Sequence, residues 1–445
     1  MAETQSSQTV STKLLRIAQV AREKPQVALT NLAHHIDIEW LQEASRRTRH
    51  DGAAGVDGRT WHEYERELGS NLRSLLDRAK SGTYRAPPVR RVHIQKGDGK
   101  ETRPIGIPTL EDKILQRAVS MVLEAVYEQD FLPCSHGFRP GRSAHAALAD
   151  LRSELMTRNG GWLLEVDIRR FFDTLDHAHL RRILGQRVRD GVLLRLIGKW
   201  LNAGVLESGS VSYPDAGTPQ GGVISPLLAN VYLHEVLDKW IVERVAPRLQ
   251  GRVHLVRYAD DFVLLFDHER DARRVLAALP KRFGEHGLTL HPDKTRLHEF
   301  RRPNVWDDEK PKQSFDFLGF THIWARSRTG KRGWIVMQIT ASPRLSRALR
   351  RVAQWCRAHR HDSIADQHRA LSAKLRGHYA YFGLTNNFYR LHCFQDHVRW
   401  IWRKWLDRRT RGAVMTWDRF QQLASRYPLP RATVIRSIYP RAANP

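Results

Sequence analysis

The sequence predicts an α+β fold followed by a separate all-helical domain. Two observations support the first part: short apolar strands end in acidic residues, and they alternate with segments whose apolar residues have helical spacing. The second part rests on the loss of strand signals after Thr340. We place the domains at 13–160, 161–335 and 342–412, with a disordered N-terminus at 1–12 and a basic C-terminal tail at 413–445.

The first domain begins with helices that carry basic faces. They occupy residues 13–82 and are broken by a glycine- and aspartate-rich loop at 51–58. Alternating residues at 91–94 and a returning segment at 103–108 then flank Lys96-Gly97-Asp98-Gly99-Lys100, a pattern that predicts a β-hairpin. A long helix is expected from about Leu110 to Gln129.

The central domain contains two strand predictions with acids at their ends. Trp162–Ile168 is an apolar strand that ends in an acid, Asp167, and Val253–Phe266 has the pattern of a strand, two acids and a second strand. Between them, the apolar residues of Pro219–Arg244 keep helical spacing, so we expect a helix there.

The third domain is predicted as three amphipathic helices within 342–412. Ser342 is the expected N-cap of the first and Pro343 lies in its first turn, while the last two are separated near 383–387. This domain has 16 Lys and Arg against 4 Asp, with aromatic residues interleaved. Core packing explains each aromatic alone, but charge of a single sign is typical of a surface that contacts phosphates.

The composition narrows the class of function. A total of 73 Lys and Arg against 47 Asp and Glu gives a net charge of +26, which favours an anionic partner such as nucleic acid. Neither a long apolar run nor a signal peptide is evident, so we expect a cytoplasmic, bacterial, nucleoid-associated protein with no membrane partner. Cys134, Cys356 and Cys393 lack metal-ligand spacing, which argues against disulfides or a zinc module.

The strongest chemical signal is Tyr258-Ala259-Asp260-Asp261 at the tip of the predicted hairpin. Adjacent carboxylates oppose each other's ionisation, and a pair of Mg²⁺ ions would relieve this while promoting in-line phosphoryl transfer. Alone, the motif is best explained as a surface turn. Asp167 could supply a third carboxylate, however, and the glycine-rich turn at 217–222 lets backbone approach a nucleotide.

Together these elements resemble the reverse transcriptase encoded by group II introns. Residues 258–261 match the family's YADD box, 167–173 its first catalytic strand and 218–226 its nucleotide-positioning turn. Residues 103–108 and 132–140 look like its fingers, and 375–383 like the maturase (X) domain that serves as its thumb. The resemblance spans roughly 15–440 and implies a right-hand polymerase: fingers, a palm with a small antiparallel sheet, and an all-α thumb.

The resemblance also implies which residues hold the metal ions. Asp167, Asp260 and Asp261 would bind two Mg²⁺, which Mn²⁺ could replace, and the carbonyl of Ile168 would be a further ligand.

The incoming deoxynucleoside triphosphate has an implied set of contacts as well. Lys96 and Arg103 would meet the triphosphate, and Gln220 would lie beside the nucleotide. Phe172 would lie under the sugar, where an aromatic ring leaves no room for a 2′-hydroxyl. Phe171 is the alternative, because adjacent aromatics on a strand face opposite sides.

The remaining partners implied are an RNA template, in particular a group II intron RNA, and a DNA primer or target, with the protein expected as a monomer. The thumb residues expected to bind RNA are Arg376, Arg399, Arg403 and Lys404. Nothing after Gly412 has the spacing of the His-Asn-His nuclease found in many members, so we expect the short form without a DNA-cleaving domain.

Two other functions remain open at this point. The chain could act chiefly as a maturase, an RNA-binding splicing cofactor, or it could be a domesticated polymerase that serves DNA repair or phage defence. A catalytic intron RNA encoded around the reading frame would favour a mobile element, and its absence would favour domestication.

Overall fold

The chain forms two compact units, described separately below. A computed structural model describes residues 2–96, 101–207, 209–213, 217, 221–304, 313–327, 333–409 and 415–437. The first unit comprises residues up to 150 together with 161–298, and the second comprises 151–160 with the residues from 299 onward. The unit boundary near 298 precedes the domain boundary at 335–342 that the sequence pattern suggests.

Helices and strands alternate through the first unit. Its helices, including one that continues past residue 150, are α1 (Ala2–Glu23), α2 (Ile38–Arg46), α3 (Trp61–Glu65), α4 (Leu68–Ser81), α5 (Leu110–Tyr127), α6 (Ala144–Thr157), α7 (Phe171–Thr174), α8 (His177–Arg187), α9 (Gly191–Leu201), α10 (Ser225–Leu233) and α11 (Glu269–Gly284). Its strands, the last of which continues to residue 301, are β1 (Val89–Lys96), β2 (Glu101–Ile107), β3 (Gly160–Val166), β4 (Val205–Glu207), β5 (Ser210–Ser212), β6 (Val253–Tyr258), β7 (Asp261–Phe266) and β8 (Arg296–Arg301).

Two small sheets organise these strands. One has the order β2-β1-β4-β5, in which β1 and β2 form the predicted hairpin with Ile94 opposite Arg103. The other has the order β6-β7-β3-β8, with β7 antiparallel to both of its neighbours. β3 and β7 are mostly apolar and buried, and acids lie at the ends where the two strands meet: Asp167 follows β3 and Asp261 begins β7.

Helix α5 is the long helix that the sequence predicts near 110–129. Thr109 caps its N-terminus by accepting a hydrogen bond from the Asp112 amide, and the helix is buried along most of its length. Arg187, also buried, donates to the carbonyls of Ala21, Lys24 and Val27 and pairs with Asp130 at 2.7 Å. These bonds fasten the end of α1 to the rest of the unit.

The second unit combines a three-stranded sheet with helices. Its elements are β9 (Ser314–Phe317), β10 (Phe320–Arg326), β11 (Trp334–Thr340), α12 (Ser342–Ala358), α13 (Ile364–Phe382), α14 (Phe388–Asp407) and α15 (Trp417–Arg426). The sheet order is β11-β10-β9, and the helices enclose a core that includes Leu371, Trp402 and Phe420. The buried side chain of Asn387 joins the two layers by donating to Thr340 Oγ1 and accepting from the Thr340 amide, both at 2.8 Å.

The structure corrects several expectations about local elements. Helix α1 begins at Ala2, in the segment predicted to be disordered, and α15 packs Phe420 into the core within the predicted C-terminal tail. The helix expected from Pro219 begins at Ser225 and continues beyond Leu233 in π-type turns to Val245. Ala341 is the N-cap of α12, so Ser342 is its first residue rather than its cap.

The predicted hairpins, the helix near 110–129 and the three helices of 342–412 are confirmed. The turn of the first hairpin, at 97–100, lies outside the described residues. Within the described part of the chain, no helix combines the length and apolarity that crossing a membrane requires.

Candidate active site

The hairpin of β6 and β7 places the paired aspartates at its tip. Tyr258 is paired with Asp261, so Ala259 and Asp260 form a two-residue turn, and Ala259 has a φ of 57°. Two-residue hairpin turns of this kind need positive φ, which an alanine adopts only at an energetic cost. The tip is therefore held by contacts from other segments.

The main support is Arg257, which is completely buried. Its guanidinium forms two bonds to Asp238, at 2.7 and 2.5 Å, and also donates to Asn230 Oδ1 at 2.9 Å and Ser135 Oγ at 2.8 Å. The fifth donor position bonds the carbonyl of Ala259 at 3.0 Å. All five guanidinium hydrogens are thus used, and one of them fixes the turn that carries Asp260.

Electrostatics keep this guanidinium charged. Burial alone would lower the pKa of Arg257, but the carboxylate of Asp238 beside it raises that pKa above its ordinary value. A buried charge of this kind persists only when it is fully paired and hydrogen-bonded.

The segment before Phe138 packs along the outer edge of β6. The Arg257 amide donates to the carbonyl of Cys134, and the His136 amide donates to the carbonyl of Arg257, each at 2.8 Å. Gly137 lies so close to the tip that a Cβ there would be 2.3 Å from the amide nitrogen of Ala259. This close approach explains why residue 137 must be glycine.

Asp167 lies at the same end of this sheet as the hairpin tip. Val166 is paired with Phe262, so extending the register by one residue puts Asp167 opposite Asp261. The carboxylate of Asp167 is bound by the ammonium of Lys294 at 2.7 Å. Two backbone hydrogen bonds lie on either side of Ile168. The His291 amide donates to the carbonyl of Asp167, and the Arg169 amide donates to the carbonyl of Thr289, each at 2.8 Å. The Ile168 carbonyl therefore points away from this pairing.

Asp260 and Asp167 are close enough to interact electrostatically. Burial raises the pKa of Asp260 above its ordinary value, and the negative charge of Asp167 raises it further, whereas Arg103 and Arg257 act in the opposite direction. Asp261, by contrast, is exposed at the start of β7. The structure thus brings together Asp260, Asp167 and Arg103, which come from three separate segments of the chain.

Asp167, Asp260 and Asp261 offer carboxylate oxygens, which are the preferred ligands of a hard divalent cation such as Mg²⁺. Among the described residues, however, no three His, Cys, Asp or Glu side chains converge closely enough to hold a metal ion. The ammonium of Lys294 instead neutralises the Asp167 carboxylate. The three predicted ligands therefore form an incomplete site, in which Asp260 is half-buried and costly to ionise.

The glycine-rich turn borders the same region. A Cβ on Gly217 would lie 2.9 Å from the carbonyl oxygen of Phe172, and one on Gly221 would lie 2.5 Å from that of Gly106 in β2. Both glycines have positive φ, at 93° and 112°. The described residues of this turn consequently lie against α7 on one side and against the β1–β2 hairpin on the other.

Gln116, which is buried in α5, holds the end of this turn. Its side-chain oxygen accepts from the amides of Val223 at 2.8 Å and Ile224 at 3.4 Å, just before α10 begins. Val223 and Ile224 precede the first helical residue, so their amides have no partner within the helix, and Gln116 supplies one for both.

The two adjacent phenylalanines differ in environment, but not for the predicted reason. They lie in the short helix α7 rather than on a strand, because Arg170 adopts a φ of 48° and turns the chain after β3. Phe171 is 1% exposed and belongs to the core, while Phe172 is only partly buried against it. Phe172 is therefore the ring of the two that can face a ligand.

The other predicted nucleotide contacts are described only in part. Arg103 is exposed on β2 and acts electrostatically on Asp260. The side chain of Lys96 and all of Gln220 lie outside the described residues.

The predicted RNA-binding residues lie on helices of the second unit. Arg376 is exposed on α13, and Arg399 is half-buried on α14. Arg403 lies over the ring of Trp417 at 4.5 Å, and Lys404 lies over that of Trp400 at 5.2 Å. Trp400 and Trp417 are 51% and 46% exposed, so these cations cover aromatic surface that would otherwise face water.

Sequence reasoning missed the residues that position the site: Arg257, Asp238, Asn230, Gln116 and Lys294. A buried arginine within an apolar strand was the available signal at 257, since it requires an acid elsewhere. No sequence signal identifies which acid that is, because Asp238 is 19 positions away on another element.

Comparison with known proteins gives an independent result. Residues 94–322 match the family model described as reverse transcriptase (RNA-dependent DNA polymerase). Protein YkfC of Escherichia coli K12 is 35% identical over an alignment of 356 positions that covers 71% of this chain and 89% of YkfC. The group II intron-encoded protein LtrA of Lactococcus lactis subsp. cremoris is 45% identical over 174 residues, or 39% of this chain and 28% of LtrA.

A plant protein is also similar. Nuclear intron maturase 4, mitochondrial, of Arabidopsis thaliana is 29% identical over 128 residues, which are 28% of this chain and 16% of that protein. The match to the family model covers both acid-bearing strands, the glycine-rich turn and the β2 arginine. The chain therefore belongs to the reverse transcriptase (RNA-dependent DNA polymerase) family, and within it to the group II intron type.

Proposed function

We propose that this chain is an RNA-directed DNA polymerase that extends a DNA 3′ end on an RNA template. The observation that carries the proposal is the convergence of Asp167, Asp260 and Arg103 beside the glycine-rich turn at one end of the β6-β7-β3-β8 sheet. An acid that is close enough to a second carboxylate and to an arginine to interact with both suits a site that binds both a cation and a polyphosphate.

Two Mg²⁺ ions are the proposed cofactors, and Mn²⁺ could take their place. Asp167, Asp260 and Asp261 would hold them, with the Ile168 carbonyl as an additional ligand because it points away from the pairing with Leu290. When bound, the ions would supply the charge that stabilises in-line transfer of a nucleotide to a 3′-hydroxyl. Lys294 would then exchange its bond to Asp167 for water or phosphate.

The protein's own groups would position the deoxynucleotide. Arg103 would bind the triphosphate as a fork, with Lys96 beside it, while Gln220 in the glycine-rich turn would lie next to the base or sugar. Phe172, backed by the core residue Phe171, would exclude a 2′-hydroxyl by contact. Gln116 would hold the end of the turn in place through its bonds to the amides of Val223 and Ile224.

On this proposal the segments have the roles of a right-hand polymerase: fingers within 13–160, palm within 161–335, and a thumb within 342–412. The partners are an RNA template, a DNA primer or target and deoxynucleoside triphosphates, and the working form is a monomer. The second unit would grip the template strand by its phosphates, with Arg376, Arg399, Arg403 and Lys404 as contacts.

A maturase role is the second candidate, and the likeness to LtrA and nuclear intron maturase 4 favours it. The same cation-bearing aromatic surface on α14 that would bind a template would bind a structured intron RNA.

The deciding experiment replaces Asp260 by Asn. Primer extension should fall by about a thousandfold or more, because the change removes a charged group at the reacting phosphate, whereas affinity for the RNA–DNA duplex should stay the same. Both are measured on one preparation, with Asp77→Asn on the exposed face of α4 as the control. Loss of synthesis and of binding together would show that Asp260 has a structural role instead.

A further inference from the structure

The start of the glycine-rich turn at 217–222 is held by the segment that joins α7 to α8. The Gly217 amide donates to the carbonyl of Leu175 at 2.9 Å. Nε2 of His177, the first residue of α8, lies 2.5 Å from the carbonyl oxygen of Gly217. Because a carbonyl oxygen only accepts, the imidazole must carry a proton on Nε2 and donate this hydrogen bond. Both backbone polar groups of Gly217 are therefore bonded to one segment.

The backbone that carries His177 is fixed by the start of α8. Asp176, the N-cap, accepts a hydrogen bond from the His179 amide at 2.7 Å, and its carbonyl accepts from the Leu180 amide at 3.0 Å. One turn further on, Leu180 and Leu184 are buried in the core of the first unit. The imidazole therefore projects from a capped helix end that is packed onto the core.

The same short stretch of chain carries two groups of the candidate active site. Asp167 follows β3, Phe172 lies in α7 and His177 begins α8, so all three lie within residues 167–177. A Cβ on Gly217 would lie 2.9 Å from the carbonyl oxygen of Phe172, which shows how closely the turn approaches α7. The bond from His177 thus ties the turn to the segment that holds both the acid and the aromatic ring.

We propose that His177 is a positioning residue for the incoming deoxynucleoside triphosphate, because its hydrogen bond to Gly217 sets where the glycine-rich turn lies relative to Phe172. The inference rests on the proposed polymerase function, in which the nucleotide lies between that ring and the turn that carries Gln220. Gln116 holds the end of the turn, whereas His177 holds its start. Without His177, the start of the turn would shift relative to the nucleotide while α5 still held the end.

The test uses five full-length proteins: wild type, His177→Gln, His177→Asn, His177→Ala and His179→Gln. Glutamine carries its amide nitrogen at about the same distance from the backbone as Nε2 of histidine, whereas the asparagine nitrogen lies near the position of Nδ1 and is too short to reach Gly217. His179 is the matched control on the same helix, because its ring packs edge-on against that of His286, with centroids 5.5 Å apart.

Deoxynucleotide affinity is measured by calorimetry in Mg²⁺ buffer, on a complex with an RNA template and a DNA primer that ends in a dideoxynucleotide, so that no transfer occurs. Extension of an ordinary primer gives kcat and KM. In His177→Ala and His177→Asn, deoxynucleotide affinity should fall by about three- to tenfold, the range for one neutral hydrogen bond. The KM should rise to match while kcat stays within about twofold, and His177→Gln should stay near wild type.

Unchanged deoxynucleotide affinity in both His177→Ala and His177→Asn would overturn the inference. A loss that His177→Gln does not restore, or that His179→Gln shares, would also overturn it, because the cause would then be the fold of α8 rather than the bond to Gly217. The polymerase function fails separately. A wild-type protein that binds deoxynucleotide but does not extend the primer would reject that function, while the calorimetric comparison of the variants would still decide the role of His177.

Discussion

The hairpin of β6 and β7 in the first unit and the helical surface of the second unit both carry several charges, but they hold them in opposite ways. At the hairpin, Arg257 and Asp238 are both 0% exposed and bonded in fixed geometry. On α14, Arg403 and Lys404 lie over the partly exposed rings of Trp417 and Trp400. The first arrangement fixes the turn that carries Asp260, whereas the second presents an adaptable cationic face.

This difference has an energetic meaning. Removing one partner of a buried ion pair leaves an uncompensated charge in the core, so single changes at the hairpin should have large effects on stability. Removing one surface cation leaves its neighbours in place, so changes on α14 should have small effects that depend on salt. Three predictions test this contrast, starting with the largest.

Replacing Arg257 by Met should lower the free energy of unfolding by about 3–5 kcal/mol, the range for breaking a buried pair by removing one partner. Methionine can replace the aliphatic stem of the arginine but leaves the Asp238 carboxylate without a cation. It also frees the carbonyl of Ala259, so primer extension should fall even under conditions where the protein stays folded. Urea unfolding and primer extension measure the two effects.

The matched control is Arg273→Met. Arg273 pairs with Glu269 at 2.6 Å, but these side chains are 66% and 40% exposed, so the change should cost at most about 1 kcal/mol. Equal effects at the two positions would mean that burial does not distinguish the hairpin from ordinary surface. Restoration of stability by adding Asp238→Leu to Arg257→Met would show that the unpaired carboxylate caused the destabilisation.

The second prediction concerns sugar selection, an intermediate effect. Phe172→Val should raise ribonucleotide incorporation by about tenfold or more relative to deoxynucleotide incorporation, because a smaller side chain no longer excludes the 2′-hydroxyl. Stability should change little, since Phe172 is only partly buried. Competition between ribo- and deoxynucleotides in primer extension measures the ratio.

Phe171→Val is its control. Phe171 is 1% exposed, so shortening it should reduce stability, by less than the about 3–5 kcal/mol of a full Phe→Ala truncation, and leave sugar selection unchanged. Loss of selection at Phe171 with retention at Phe172 would reverse the two assignments.

The contrast between the regions also explains what sequence could predict. The hairpin at 258–261 and the helices of 342–412 follow from local alternation and spacing, and local patterns determine such elements. The α7 turn was not predicted, because it depends on a positive φ at Arg170 that no local residue preference indicates.

Side-chain pairs between residues far apart in the chain could not be predicted from the sequence, for a different reason. Lys294 binds Asp167 from 127 positions away, and Gln116 reaches Val223 over 107. Each is one of many lysines or glutamines that a sequence offers, and only the completed packing selects it. The acids could be recognised by their motif, whereas the residues that hold them could not.

The third prediction has the smallest expected effect and addresses the helical surface. Arg399 and Arg403 are four positions apart on α14 and so lie on one face. Changing both to Gln should weaken RNA binding modestly at low salt and reduce the slope of log affinity against log salt by about 0.7–0.9 for each phosphate that the protein no longer neutralises. Because Arg403 also packs on Trp417, the contribution of Arg403 to RNA binding should exceed that of Arg399.

The matched control is Arg252→Gln. The charge of Arg252 is already paired with Asp267 at 3.1 Å, so this change should leave the salt slope as it is in the wild type. Filter binding at several salt concentrations measures the slopes. A slope that stays at the wild-type value in the double variant would show that this face of α14 is ordinary solvated surface, and the cations over its tryptophans would then serve to shield the rings rather than to bind phosphate.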